Sequence, residues 1–435
     1  MALAISTVGQ SAKRGMIPRL PSGERLLGDV EQWLRAEYPD MVRSIRQAQG
    51  ADGGARLSVE LHPAAGPLSL EATDAGRVTA TADTAAVGPG YHTFVCRVLE
   101  RLGEELEVDW TPTEPAGDDE GETTEFVTVD PSNATRAEVE TLQLATLRAT
   151  LTSAQESRNR GATGLHFGTP TAVRYTVEDG IASPLGHFDD DWLARAVRDP
   201  RVAVEIWPWW LDATNARYLL NRALCLMWTE IRWRPPATED EMAVADEALG
   251  LLRRAYPLES SLPFPWRAWH ELMYLRGAED PMARLVAERA AADDADAEPI
   301  GYRRKPVTIL HEGWQLVVPG SCSERRTAEE WFGAETGRRI TLAAVETGRD
   351  GRPMSAEAFL GEVAGHLGSE VMTHAGPGGL AGRARLDVDA SSGIHVGVLD
   401  GYSAITGRGA AIRIEFDDPD DWQWAIDMWR SLIPS

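Results

Sequence analysis

Two histidine–glutamate pairs, His270-Glu271 and His311-Glu312, are the strings nearest to a metal-centred hydrolytic motif. Such a site needs a second histidine four residues on, so that both imidazoles reach one ion from one helical face. Those positions hold Tyr274 and Gln315. Neither pair is expected to ligate zinc. Ser321-Cys322-Ser323 follows Pro319-Gly320 and invites a nucleophile reading, but a nucleophile elbow closes on glycine where this chain has Glu324. A loop after a strand explains the string better. Paired acids at Asp189-Asp190-Asp191, Asp387/Asp389 and Asp417–Asp421 could hold a divalent ion or move protons. Two of these clusters precede helices, where capping and the helix dipole already account for them. No catalytic residue, metal ligand or cofactor is expected from these strings.

The glycine-rich strings are weaker. Gly407-x-Gly409 is too short for a dinucleotide fingerprint and reads as a hairpin turn. Gly376-Pro-Gly-Gly379 reads as a loop. Gly88-Pro89-Gly90-Tyr91 precedes a helix, a place that can hold an anion, although Gly-Pro-Gly is also a simple way to turn a chain sharply. Lys13 and Lys305 are the only lysines, and no GxxxxGK[ST] string occurs, so a P-loop NTPase is excluded.

Tryptophan is the most distinctive residue type. Eight of the fifteen fall between Trp192 and Trp269. Trp207, Trp209, Trp210, Trp233, Trp266 and Trp269 are the candidate binding residues, as an aromatic ligand pocket or a protein-binding surface. A helical core filled by indoles is the plainer reading. Arg232 and Arg234 alternate with Trp233 and fit an exposed contact edge.

The whole chain has 435 residues, 67 acids, 43 bases and a formal charge of −24. Such a surface repels phosphate backbones and anionic membranes, so no nucleic acid and no membrane are expected as partners, whereas a basic protein is compatible. No stretch of 18 apolar residues occurs, and the first 15 residues do not read as a signal peptide. Cys96, Cys225 and Cys322 are odd in number and far apart, which favours a reducing compartment. A cytoplasmic protein is expected.

The elements that must position these residues read as α+β. Residues 1–21 look like a loose tail. An N-terminal α+β domain follows over 22–110: a helix capped by Ser22, strands over 56–62, 67–72 and 77–82, and a helix carrying Tyr91, Phe94, Val95, Val98, Leu99, Leu102 and Leu106 on one face. Residues 111–134 form an acidic linker with a short strand at 126–129. Residues 135–292 are mainly helical and tryptophan-rich, with helices over 135–157, 216–231, 239–256 and 265–275. Residues 303–435 form a second α+β domain, with strands over 307–310, 314–318, 339–345, 383–388, 394–402 and 410–416, a helix over 355–367 and a closing helix after Asp417-Asp418-Pro419.

Two resemblances follow from these strings. His311-Glu-Gly-Trp-Gln-Leu-Val-Val-Pro319 and the closing Asp421-Trp-Gln-Trp-Ala-Ile-Asp-Met-Trp-Arg-Ser-Leu432 make the C-terminal segment resemble the Mog1/PsbP-like fold. That superfamily mostly supplies accessory and binding modules and transfers no catalytic residue. Residues 243–275, with Ala245-x-x-Ala248-Leu249-x-x-Leu252 followed by Pro265-Trp-Arg-Ala-Trp269, resemble one tetratricopeptide-type helical unit. A single unit is not an array.

The expected function is therefore that of a non-enzymatic interaction protein, an adaptor or accessory subunit of a bacterial assembly, with a protein partner. Its composition and modular build suggest a defence or conflict setting. Two alternatives stand beside it. One is a hydrolase whose site is gathered from distant residues. The other is a small-molecule sensor with an aromatic pocket.

Overall fold

The computed structural model describes residues 2–11, 22–50, 54–112, 126–128, 135–211, 214–277, 279–293, 298–327, 329–349, 352–367, 371–389 and 396–435. It is a mixed α+β protein.

The first sheet runs in the order 44–49, 55–60, 68–72, 77–83, 2–11 and 108–112, with antiparallel neighbours throughout. The reading of the N-terminus as a tail is corrected here. Ala2–Ser11 lies between Arg77–Asp83 and Val108–Pro112, with Thr7 facing Ala80 on one side and Pro112 on the other. Ala4, Ile5, Ser6 and Thr7 are all buried. Both faces of this strand are covered, so it carries none of the polar alternation that marks a half-exposed strand. Residues 12–21, the rest of the expected tail, lie outside the described residues. So does most of the acidic linker, apart from Phe126–Thr128, which pairs in parallel with Ala2–Ser11.

Helix starts follow the capping residues. The Ser22 side chain accepts from the Arg25 N–H at the head of Gly23–Glu37. Thr135 and Glu138 form a capping box at the head of Arg136–Asn159. The helix Pro89–Leu106 buries the whole predicted face, from Tyr91 through Leu106.

The cores do not follow the chain's segments. One continuous core joins the first sheet and its helices to Ala216–Thr229, Glu239–Leu258 and Trp266–Arg276, through Leu57, Tyr91, Trp209, Leu226, Leu252 and Trp269. A second joins Leu147, Leu151, Ile181, Trp192, Ile206 and Trp207. The third belongs to the C-terminal half but takes in Val173 and Tyr175, because the strand Val173–Tyr175 pairs with Val307–His311.

In the C-terminal half an antiparallel sheet runs in the order 323–326, 330–335, 338–346, 408–416, 396–405, 381–389 and 372–375. Gly407, at φ +82°, makes the hairpin expected of it. The helix Trp422–Arg430 drives fully buried Trp429 onto this sheet. Gly382 and Gly401 make room for the indole, since a Cβ at either would come within 2.9 Å of its ring. Among the described residues no helix is long and apolar enough to cross a membrane.

Candidate binding cleft

The six tryptophan candidates do not converge. Trp207 and Trp210 stack at 5.6 Å in the second core, and Trp207 Nε1 donates to the Ala85 carbonyl. Trp209 packs among Tyr218, Phe94, Tyr91 and His62 in the first core. Trp266 stacks on Trp269 at 5.5 Å beside Phe264. Trp207, Trp209 and Trp269 are buried; Trp210, Trp233 and Trp266 are half-buried. Of the six, Trp233 reaches a surface hollow.

The other strings resolve as follows. Glu271 is held in a fork by Arg304, and Tyr274, in the second-histidine position, points into solvent. The Ser321 and Ser323 hydroxyls donate to the Glu335 and Glu241 carboxylates, and burial pushes the Cys322 thiol between them up to about 12. Asp189 and Asp418 cap helices, Asp190 pairs with Arg158, Asp387 with Arg385 and Asp421 with Arg338. The side chain of Asp389 lies outside the described residues. The helix head at Gly88-Pro89-Gly90 is filled by the chain itself. Gly90 N–H donates to the Trp209 carbonyl, and a Cβ at Gly90 would sit 2.4 Å from the Leu211 carbonyl oxygen. The glycines serve close backbone packing there. Among the described residues no group of three or more His, Cys, Asp or Glu could hold a metal ion.

What the fold does bring together is a set of arginines and carboxylates, in a cleft of about 630 Å³ where the first sheet, the helical region and the strand Ser323–Arg326 meet. Arg43 donates to Glu230 at 2.8 Å and to Glu247 at 3.1 Å. Glu247 also takes buried Arg222 at 2.6 Å. Arg234 forks onto Glu241 and reaches the Ser321 carbonyl and the Ser323 hydroxyl. Burial works against the Glu241 charge, yet hydrogen bonds from Arg234, Ala237 N–H and Ser323 hold its carboxyl below the usual range. Arg303 donates to Glu324 at 2.6 Å and to the Thr229 carbonyl at 2.9 Å.

The expected exposed edge at Arg232-Trp233-Arg234 is corrected by this arrangement. Both guanidiniums turn inward and are mostly buried. Trp233 sits at φ +55°, a left-handed conformation that is uncommon for a bulky residue. Three contacts hold it there: Nε1 donates to the Met227 carbonyl, Arg304 lies 3.8 Å over the ring, and Gly301 passes beneath it. Strain of this kind persists when its surroundings over-determine it.

His62 forms part of the inner wall. Its Nδ1 accepts from the Ala64 N–H at 3.2 Å, which places the ring proton on Nε2. Nε2 is buried without a hydrogen-bond partner among the described residues. Burial, then the Arg222 and Arg43 charges, hold this imidazole well below its ordinary pKa, so it is neutral at pH 7. Sequence reasoning missed Arg43, His62, Glu241, Arg303 and Glu324. The one available signal was the arginine–tryptophan–arginine string.

No protein-family model matches this chain, and no curated protein matches it. Among solved structures, one from Bacteroides thetaiotaomicron VPI-5482 at 1.50 Å resolution aligns over 28% of this chain with 6% identity and a TM-score of 0.24. The chain spans 45% of that structure's length, and a likeness at this level carries no argument about fold or function.

Proposed function

We propose that this protein is a non-enzymatic binding protein, an adaptor or accessory subunit of a bacterial multi-protein assembly, whose recognition site is the three-way cleft. The observation that supports this most is the way the cleft's ionisable groups are fixed. Arg43, Arg234 and Arg303 each bridge to a carboxylate, and the first of these bridges joins parts of the chain 187 positions apart. Groups tied in this way make a stiff, pre-organised surface, which lowers the ordering cost of binding. A hydrolase would need a nucleophile in reach of a base. His62 has the depressed pKa of a candidate base, but among the described residues it meets the Ala64 N–H and the rings of Tyr91, Trp209 and Tyr218.

The experiment is capture of partners on the tagged full chain from its native host at low and moderate salt, followed by reconstitution with the purified partner. One stoichiometric partner, lost when Arg325 at the cleft rim is changed to Glu, supports the reading. A chain that stays without a partner at both salt concentrations sinks it. A second reading, a small-molecule sensor, is favoured by one observation: not every cleft arginine is satisfied.

A further inference from the structure

We propose that a small oxyanion, a phosphate or carboxylate group, binds at Arg232, in the hollow that this arginine walls beside the cleft. The inference rests on the sensor reading and is independent of any protein partner.

Arg232 and Arg303 share one carboxylate. Glu324 Oε1 lies 3.3 Å from Arg232 Nη1 and 2.6 Å from Arg303 Nη1. The side chains are 14%, 5% and 13% exposed for Arg232, Arg303 and Glu324. Arg303 has the better place, because its Nε also reaches the Thr229 carbonyl. The other Glu324 oxygen is taken by Trp331 Nε1 at 3.2 Å. Arg232 Nε and Nη1 are then buried with no hydrogen bond among the described residues. Two guanidiniums against one carboxylate leave a positive charge unbalanced in a poorly solvated place, and unmatched N–H donors add to that cost.

Arg232 has little freedom to escape. The next residue, Trp233, is pinned by Arg304, Met227 and Gly301. Arg232 also walls a second hollow, of about 300 Å³, with Arg303, Arg304 and Lys305, and no acid lines it. Such a concentration of bases stands out in a chain of net charge −24. A guanidinium presents a fork of N–H groups matched to two oxygens of a carboxylate or phosphate. The volume is at the small end of ligand pockets, which fits a compact anion or the charged end of a small metabolite.

The test uses the full chain in chloride buffer, titrated at matched ionic strength with inorganic phosphate or with succinate, and read by calorimetry and by the thermal midpoint. The wild-type protein should bind at least one of them at millimolar concentration and unfold at a higher temperature in its presence. Stronger binding of phosphate identifies a phosphoryl ligand; stronger binding of succinate identifies a carboxylate ligand. Arg232→Met should keep or raise the midpoint in chloride, because it removes an unmatched charge, and should weaken anion binding by about tenfold or more. An arginine kept for structure alone would instead lower the midpoint in chloride and leave no anion response to lose. No response in the wild type, or an unchanged response in Arg232→Met, overturns the proposal. Should that variant fail to fold, Glu324→Gln carries the test. Removing the competing carboxylate should tighten anion binding, and equal or weaker binding overturns the site. Partner capture needs no anion and these titrations need no partner, so either reading can fail without the other.

Discussion

The Arg43 guanidinium and the Glu230 carboxylate meet at 2.8 Å although 187 positions separate them in the chain. The same arginine reaches Glu247, 204 positions away. Glu247 then holds Arg222, which is 3% exposed. The first sheet is thereby locked to the helices beside it by a chain of alternating charges.

Glu247 is the member of that chain on which two arginines depend. Glu247→Gln should lower stability by about 3 kcal/mol, because it leaves the buried Arg222 charge without its carboxylate. Replacing both partners, as Arg222→Met with Glu247→Leu, should recover most of the loss. Denaturant midpoints of the single and double variants check this, and a double variant no better than the single one refutes it.

Stability should fall on mild acidification. Burial, followed by nearby arginine charges, holds the His62 imidazole well below the ordinary 6.5 and lowers His92 to about 4. Below 6.5 the unfolded chain takes up protons that the folded chain refuses, so stability is fully present above 6.5 and drains away as pH drops toward 4. His62→Phe should flatten this profile by up to about 1.4 kcal/mol per pH unit. The measurement is the urea midpoint at pH 7, 6 and 5 for both proteins; parallel profiles would exclude His62 as the source.

Gly301 should tolerate no side chain. It sits at φ +118°, and a Cβ there would lie 1.8 Å from Trp233 Nε1. Gly301→Ala should cost roughly 2 kcal/mol or more, since steric and backbone strain combine. It should also lift the indole from beneath Arg304. Near-ultraviolet circular dichroism reports the second effect, and an unchanged spectrum would count against the packing described.

Trp209 and Trp233 should separate core from cleft. Trp209→Ala removes a buried indole from among four rings and should cost about 4 kcal/mol. Trp233→Phe keeps a ring beneath Arg304 but loses the bond to the Met227 carbonyl, and should cost about 1 kcal/mol. Thermal midpoints of the two variants in chloride check the ranking; a milder effect at Trp209 than at Trp233 would count against its place in the core.

Much of the fold was legible where one face of an element is apolar and the other wet. The spacing of Tyr91, Phe94, Val98 and Leu102 marks its helix, and Ser22 and Thr135 announce theirs. The strand Ala2–Ser11 was missed because neighbouring residues on opposite faces, Ile5 and Ser6, are both buried. The strand Ser323–Arg326 was missed for the converse reason. Its Ser-Glu-Arg-Arg string reads as a wet loop, while Ser323 and Glu324 meet Glu241 and Arg303 from other elements. The cleft was invisible because its pairs lie far apart along the chain, where periodicity says nothing.

The pairing of Val173–Tyr175 with Val307–His311 bears on any attempt to divide the protein. A fragment starting near residue 303 would carry the strand Val307–His311 with one side stripped of its partner. It would also lose Val173 and Tyr175 from the apolar cluster around Trp314. An open strand edge beside uncovered apolar surface is a template for self-association. Such a fragment should precipitate or form oligomers, and one that also retains residues 165–188 should behave better.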